Sequence, residues 1–434
     1  MATNSQERTQ EHRSPRPSSG TPSLVATNTH DSLMKQDGLN LDPPFLINFA
    51  DDRWRCPEFR ASWARLMERR ANHDALDQAP QFWEHLYARI PEKLSILTVR
   101  AAGDALAGVV PLRKVRWPLA FDVSGRVLAQ TTLDAIVILG SQPLMPSDPV
   151  LHDRLYAAID DSFPECEAIA MPSVPTESFL WRYCLESRSI KRHFLVYIPY
   201  GKRLCHTMSL AATFEQYLAK LSAKKRYNLN RQVRKLREFA GGSLELRCID
   251  KPEDLPTLIE AVSALNRQHH RHALIGSDHL IIDHGEFSDL AARGILLSYV
   301  LFCGTRPCAV TMGTRYERTY GGLHRIAYDQ SLAALSPGST MLFLVIEDLI
   351  RRHQIELIDF GYGEPAYRQH STNVLVERGT ILLLRKTLVN RLRRSEHASF
   401  QTAIGLLKQL LSPTWGRRAE DGPAERDPRT RHSG

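Results

Sequence analysis

The segment Glu356-Leu357-Ile358-Asp359-Phe360-Gly361-Tyr362-Gly363-Glu364-Pro365-Ala366-Tyr367-Arg368 decides how the rest of the chain is read. Glu356–Phe360 has the length and apolar content of a strand. Two glycines then stand between carboxylates and tyrosines, which suggests a tight loop at a strand's carboxyl end, where open α/β sheets place ligands. Asp359 or Glu364 could hold a cationic amine, and Tyr367 could donate a proton to a leaving thiolate. An Asx-type turn with packing tyrosines is the alternative. Upstream, Pro337 to about His353 reads as a helix opened by Ser336-Pro337-Gly338-Ser339-Thr340. Ser336 suits an N-cap, and Pro337 suits the first helical position because its missing N–H would be unpaired anyway. Gly338 lets a ligand approach the backbone, and the free amides with the positive helix end form a phosphate seat. A well-capped helix with no ligand fits the same residues.

Working outward, Ile295–Cys303, Cys308–Tyr316 and Tyr320–Tyr328 read as three successive strands with tight turns. Leu244–Ile249 alternates as a strand, and Asp254–Arg271 and Glu286–Ala292 read as helices. Phe214 to Phe239 reads as one long helix, with Tyr217, Leu221, Leu229, Val233 and Leu236 on an apolar face and Gly241-Gly242 ending it. Gly379–Arg385 is a final strand. In the first half, Leu94–Val99 and Leu106–Val115 read as strands about a turn at Gly103, followed by strand Leu133–Leu139, helix Leu151–Phe163 and strand Ala168–Met171. Residues 1–44 are poor in large apolar side chains and are expected to be a disordered tail, as is the stretch from about Ser412.

Composition places the chain among globular proteins and excludes collagen-like, disulfide-scaffold and wholly disordered classes. Seven cysteines, none in a C-x-x-C pair, fit a reducing compartment, so a cytoplasmic protein is expected. Without a signal pattern or an apolar run of about 18 residues, the expected membrane relation is at most peripheral. Residues 220–237 hold eight bases and no acid, and Arg385, Lys386, Arg391, Arg393 and Arg394 form a second patch. Together they exceed the net charge of +8. The patches suit a polyanion such as a cofactor phosphate, RNA or an anionic membrane, or else they are solvated faces. His269, His270, His272, His279 and His284, with Asp278 and Asp283, read as a loop over a substrate pocket, because no His-x-x-x-His pair shares a helical face. No metal is expected. Cys303 and Cys308 flank a hairpin turn.

The combination Leu221-Ser222-Ala223-Lys224-Lys225-Arg226-Tyr227-Asn228-Leu229, Tyr328-Asp329, Ser336-Pro337-Gly338 and Asp359–Arg368 resembles the CelD-like branch of the GNAT acyltransferases, associated with cellulose biosynthesis and related to Fem-type aminoacyltransferases. The resemblance spans about Phe214–Arg385. It implies an α/β fold of the α+β type with two tandem GNAT-like units, each a mixed, largely antiparallel sheet flanked by helices. These would be a degenerate unit over residues 45–200 and an acyltransferase unit over 201–390, with a basic helix and disordered tail over 391–434. It implies transfer of an acyl group from acyl-CoA, acetyl-CoA first among them, to an amine on a sugar, amino acid or envelope or polysaccharide precursor. Tyr367 is then the candidate general acid, and Glu364 or Asp359 the amine anchor or base. Tyr328, Ser336, Gly338, Ser339, Lys224 and Arg226 would hold the cofactor. Tyr362, Arg368 and His324 would meet the substrate, Arg368 standing where Lys is usual. The phosphate loop has the Pro-Gly form in place of Q/R-x-x-G-x-G/A. Fem-type relatives take the acyl group from aminoacyl-tRNA, so tRNA is the alternative donor. A non-catalytic assembly factor in polysaccharide biosynthesis is the third reading.

Overall fold

Period-two apolar segments build the sheets of the molecule. In the computed structural model, residues 45–68, 75–123, 126–269, 282–322, 326–362 and 373–415 are described. The expected tails over 1–44 and 416–434 lie outside them. The first half contributes strands Leu46–Phe49 (β1), Leu94–Arg100 (β2), Leu106–Val123 (β3), Arg126–Ile138 (β4), Ala168–Pro175 (β5) and Phe194–Tyr197 (β6). β3 and β4 form a hairpin well beyond the expected apolar runs, because paired backbone carries the polar residues Arg116, Gln130 and Thr132 along with it. Helices Pro57–Glu68 (α1), Ala75–Gln78 (α2) and Pro80–Arg89 (α3) precede β2. Phe59, Trp63 and Met67 recur at four-residue spacing and bury one face of α1. Trp63 and Trp83 are among the largest fully buried side chains, so truncating either costs about 3–5 kcal/mol. Helix Pro149–Ser162 (α4) matches its sequence reading, with Asp148 accepting the Leu151 N–H as its cap. Phe179–Glu186 (α5) and Arg188–His193 (α6) follow β5.

The second half contains Lys202–Ser209 (β7), Leu244–Ile249 (β8), Ser298–Cys303 (β9), Arg306–Thr311 (β10), Thr314–Tyr316 (β11), Thr319–Gly321 (β12), Ile326–Tyr328 (β13), Leu357–Tyr362 (β14) and Asn373–Arg385 (β15). Its helices are Phe214–Lys220 (α7), Ala223–Phe239 (α8), Leu255–His269 (α9), His284–Ala292 (α10), Pro337–Arg351 (α11) and Leu388–Trp415 (α12). The single helix expected over Phe214–Phe239 is two. Leu221 turns extended, and Ser222 caps the second by accepting the Lys225 N–H at 3.3 Å. Arg226 Nη1 ties the break by donating to the carbonyls of Leu218 and Leu221 at 3.0 and 2.9 Å. α12 continues to Trp415, past the expected end at Ser412.

Both halves are mixed α/β with mostly antiparallel pairing, the expected class. The sheets are nevertheless not separate. One eleven-stranded sheet runs β1-β2-β3-β4-β5-β15-β7-β14-β12-β11, with β6 also on β15. The expected boundary at 200/201 falls inside it. The physical reason is β15, which pairs Leu382 with Ala170 on one edge and Val374 with Thr207 on the other. Ile381 and Leu383 are fully buried in the first-half core.

A second sheet, β13-β10-β9-β8, belongs wholly to the second half. Two expected strands are therefore each broken in two. Cys308–Tyr316 leaves the small sheet as β10 and enters the large one as β11, and Tyr320–Tyr328 returns as β12 and β13. Gly313 and Gly322 sit at these crossings. A Cβ on Gly322, whose φ is +122°, would lie 2.4 Å from the Met312 carbonyl oxygen and 2.5 Å from Gly313 Cα. A Cβ on Gly313 would meet the Tyr320 hydroxyl. Two backbones pressed together at this distance admit no side chain between them.

Candidate functional site

The sheet crossing sets the site. β12 pairs parallel with β14 at Thr319–Gly321 against Leu357–Asp359. Past Gly322 the chain departs, and β13 pairs only with β10 among the described residues. β13 and the far half of β14 thus diverge between two sheets, leaving an edge of β13 without a strand partner.

β13 leads into a 3-10 turn, Gln330–Leu335, and then α11. Asp329 is buried, and its Oδ1 accepts the Ser331 N–H at 3.0 Å and the Ser331 hydroxyl at 2.7 Å, while Arg306 pairs with its other oxygen. Ser336 has φ 54° and ψ 52° and makes no side-chain cap. This corrects the expected N-cap. Ser336 also closes the 3-10 turn, donating its N–H to Ala333 at 3.0 Å, and it takes the left-handed conformation in place of the extended one that side-chain N-caps adopt. Its carbonyl accepts the Thr340 N–H at 3.0 Å. Pro337 has no N–H, so the amides of Gly338 and Ser339 are left without an intrahelical acceptor at the positive end of α11. Thr340 is fully buried, and its Oγ1 has no partner among the described residues. The space over Gly338, expected to admit a ligand, holds the Tyr328 ring: a Cβ there would lie 3.2 Å from Tyr328 Cδ1. α8 packs beside both α11 and the 330–335 turn. Lys224, Tyr227, Arg231, Arg234 and Lys235 are exposed on it at helical spacing.

On β14 a bulge lies between Asp359 and Gly361, where Gly361 has φ 71°. Asp359 Oδ1 accepts the Gly361 N–H at 2.7 Å and the Cys205 thiol at 3.5 Å. This is the Asx-type turn offered as the alternative reading. Tyr362 donates its hydroxyl to Ser173 Oγ at 2.9 Å, and Arg203 lies 4.2 Å over its ring. Buried Arg378 donates to the same Ser173 oxygen at 3.3 Å. Ser173 itself has φ 61°. These contacts join β14 to β5, β7 and β15 and bring first-half residues to the site's edge. Sequence reading missed Ser173, Arg203 and Arg378; only Ser173 stands as a polar residue in an otherwise apolar strand, the one signal available. Tyr328 thus meets Gly338 beside Ser336 and Ser339 at the start of α11, while Asp359 and Tyr362 lie on β14. Tyr367, Glu364, Arg368 and His324 lie outside the described residues, as do His270, His272, His279 and Asp278.

A group that could hold a metal lies elsewhere, at the far end of α11. One ligand atom each of Cys248, Asp348 and His353 lie within 4.8 Å of one another. Arg315 Nη1 donates to His353 Nδ1 at 3.1 Å, which puts the ring proton on Nε2, facing Asp348 Oδ2 at 3.3 Å. Burial, with Asp250 and Asp348 nearby, pushes the Cys248 thiol up to about 12.

Residues 223–369 match the family described as Acetyltransferase (GNAT) domain. The match begins at α8 and includes β13, the start of α11 and β14. No curated protein matches the chain. Among solved structures, FemX is 10% identical with a TM-score of 0.52, over 77% of this chain and 98% of that one. A conserved protein of unknown function from Bacteroides thetaiotaomicron is 15% identical with a TM-score of 0.47, over 78% of this chain and 100% of that one. L-PGS from Bacillus licheniformis is 10% identical with a TM-score of 0.45, over 78% and 96%. The likeness to FemX is one of fold. The match lies wholly in the second half, and the chain is an enzyme of the acyltransferase type.

Proposed function

We propose that this acyltransferase moves an acyl group from acyl-CoA to an amine on a sugar, amino acid or envelope or polysaccharide precursor. The observation that carries the reading is the divergence of β13 from β14 beside the uncapped start of α11. The residues present fit acyl-CoA: a free strand edge suits an extended amide-bearing chain, and the amides of Gly338 and Ser339 suit a pyrophosphate. When bound, acyl-CoA supplies a thioester carbonyl for direct attack by the amine. Tyr328, packed on Gly338, fixes the wall between strand edge and phosphate seat. Lys224, exposed on the neighbouring helix, adds positive charge. Arg226 serves the same end indirectly, by holding the α7–α8 break. Asp359 shapes the bulge on β14. Tyr367 is assigned as the general acid, Glu364 as amine anchor or base, and Arg368, with His324 and Tyr362, as substrate contacts.

The exposed basic stripe of α8 favours one second reading, in which aminoacyl-tRNA is the donor. Calorimetry of the full chain with acetyl-CoA, a longer acyl-CoA and charged tRNA distinguishes the two. Saturable binding of an acyl-CoA, with transfer to an amine, is expected. Binding of charged tRNA alone, falling steeply with salt, would replace acyl-CoA by tRNA as donor.

A further inference from the structure

Helix α12 departs in part from the usual surface pattern. A surface helix normally turns apolar residues inward and polar residues outward. Here buried polar residues share the inward face with the half-buried Ala398, Phe400 and Ile404, and large apolar residues stand outward. Asn390 and His397 are both fully buried. Asn390 Nδ2 donates to the carbonyls of Glu167 and Arg385 at 3.2 and 3.1 Å. His397 Nε2 donates to the Ala120 carbonyl at 3.0 Å, and its Nδ1 accepts from the Tyr197 hydroxyl at 2.6 Å. Leu388, Val389, Leu392, Leu406 and Leu407 face solvent, with Leu388 at 73% exposure. The tip of the β3–β4 hairpin stands alongside, because Phe121 packs on Phe400 at 5.3 Å, and Val127 and Leu128 are exposed there at 43% and 66%.

Charge selects what covers this face. Lys386, Arg391 and Arg394 are exposed beside it, and Glu396 is the sole acid between residues 386 and 407. A two-fold copy would bring these cations against their own images. Coiled-coil spacing from Leu388 through Leu392 and Leu406 also passes through Ser395, Ser399 and Thr402, which would leave three hydroxyls in the seam. No helix among the described residues is long and apolar enough to cross a membrane. We propose that α12 and the β3–β4 tip seat the enzyme flat on an anionic bilayer surface. The leucines would enter the headgroup boundary and the flanking cations would meet lipid phosphates.

The test is flotation of the full chain with vesicles of phosphatidylcholine alone or containing about one-third phosphatidylglycerol. Recovery with the anionic vesicles is expected, decreasing with salt. Leu388→Ser with Leu392→Ser should weaken it at least about tenfold, and Arg391→Gln with Arg394→Gln by roughly fivefold per arginine. Circular dichroism and acyl-transfer activity without vesicles should stay at wild-type levels in both, since all four side chains are exposed. The proposal is overturned by wild type that stays unbound with anionic vesicles, or by leucine variants that float as well as wild type. It is equally overturned by light scattering that finds a wild-type dimer broken by the leucine changes, which would give the face to a second copy.

Discussion

Replacing Gly322 by alanine tests whether the sheet crossing is as tight as the structure has it. The backbone there has φ +122°, a region nearly closed to L-residues, and the new methyl would lie 2.4 Å from the Met312 carbonyl oxygen and 2.5 Å from Gly313 Cα. Neither obstacle is a side chain that can rotate away. Strain of this kind costs about 1–3 kcal/mol, and overpacking a further ~1–3 kcal/mol, so the whole loss is about 2–6 kcal/mol. Gly304→Ala provides the control. Gly304 has φ +62° in the neighbouring hairpin with nothing within 4 Å of its Cβ position, so it carries only the left-handed cost of about 1–2 kcal/mol. Urea unfolding of both variants, followed by circular dichroism, measures the difference. With a slope of about 3 kcal/mol/M, the midpoint of Gly322→Ala should fall by roughly 0.7–2 M. Donor binding should weaken too, since the chain leaves the large sheet here on its way to β13. If Gly322→Ala unfolds within about 0.5 kcal/mol of Gly304→Ala, the close approach of the two strands is refuted.

Four further outcomes are expected. Tyr367→Phe should lower kcat by about 10²–10⁴-fold with donor affinity little changed; full turnover would remove Tyr367 from the chemistry. Lys224→Ala with Lys225→Ala should weaken acyl-CoA binding by roughly two- to tenfold, as added salt does for the wild type, and isothermal titration reads both; unchanged affinity would make α8 a solvated face. Burial lowers the pKa of His397 below its ordinary 6.5, and burial likewise lowers that of His85 despite its bond to Asp289. The folded state therefore binds fewer protons than the unfolded one just below that value. The stability that these residues contribute is present above about pH 6.5 and declines as pH falls through the lowered values. Urea midpoints that stay level between about pH 7.5 and pH 5.5 would contradict this. Cys248, pushed to about 12 by burial, should resist iodoacetamide at neutral pH while exposed Cys56 reacts, as peptide mapping would reveal.

Local signals were legible where one segment contained its own reason. Pro337 at the first helical position and the apolar repeat through Met341, Val345 and Leu349 mark α11 without help from the rest of the chain. The Asx alternative at Asp359 is written in Asp-x-Gly. Gly313 and Gly322 look like any turn glycines; that they face each other at a change of sheet depends on the Tyr320 hydroxyl and the Met312 carbonyl, which no local pattern brings together. Ser336 had the right chemistry for a cap, but the preceding 3-10 turn took its conformation. Nothing in the local sequence marks Asn390 and His397 for burial, because their partners Glu167, Tyr197 and Ala120 lie far away in sequence.

The place of β15 between β5 and β7 also has a consequence in time. Its pairing partners on β5, such as Ala170 for Leu382, leave the ribosome about 200 residues earlier. At roughly 5–20 residues per second, that interval lasts about 10–40 seconds. Throughout it, the first half lacks the strand that completes its sheet and core. Native closure waits for β15, a long-range pairing of the kind that slows folding, and until that strand arrives the edge of β5 stays open to mispairing.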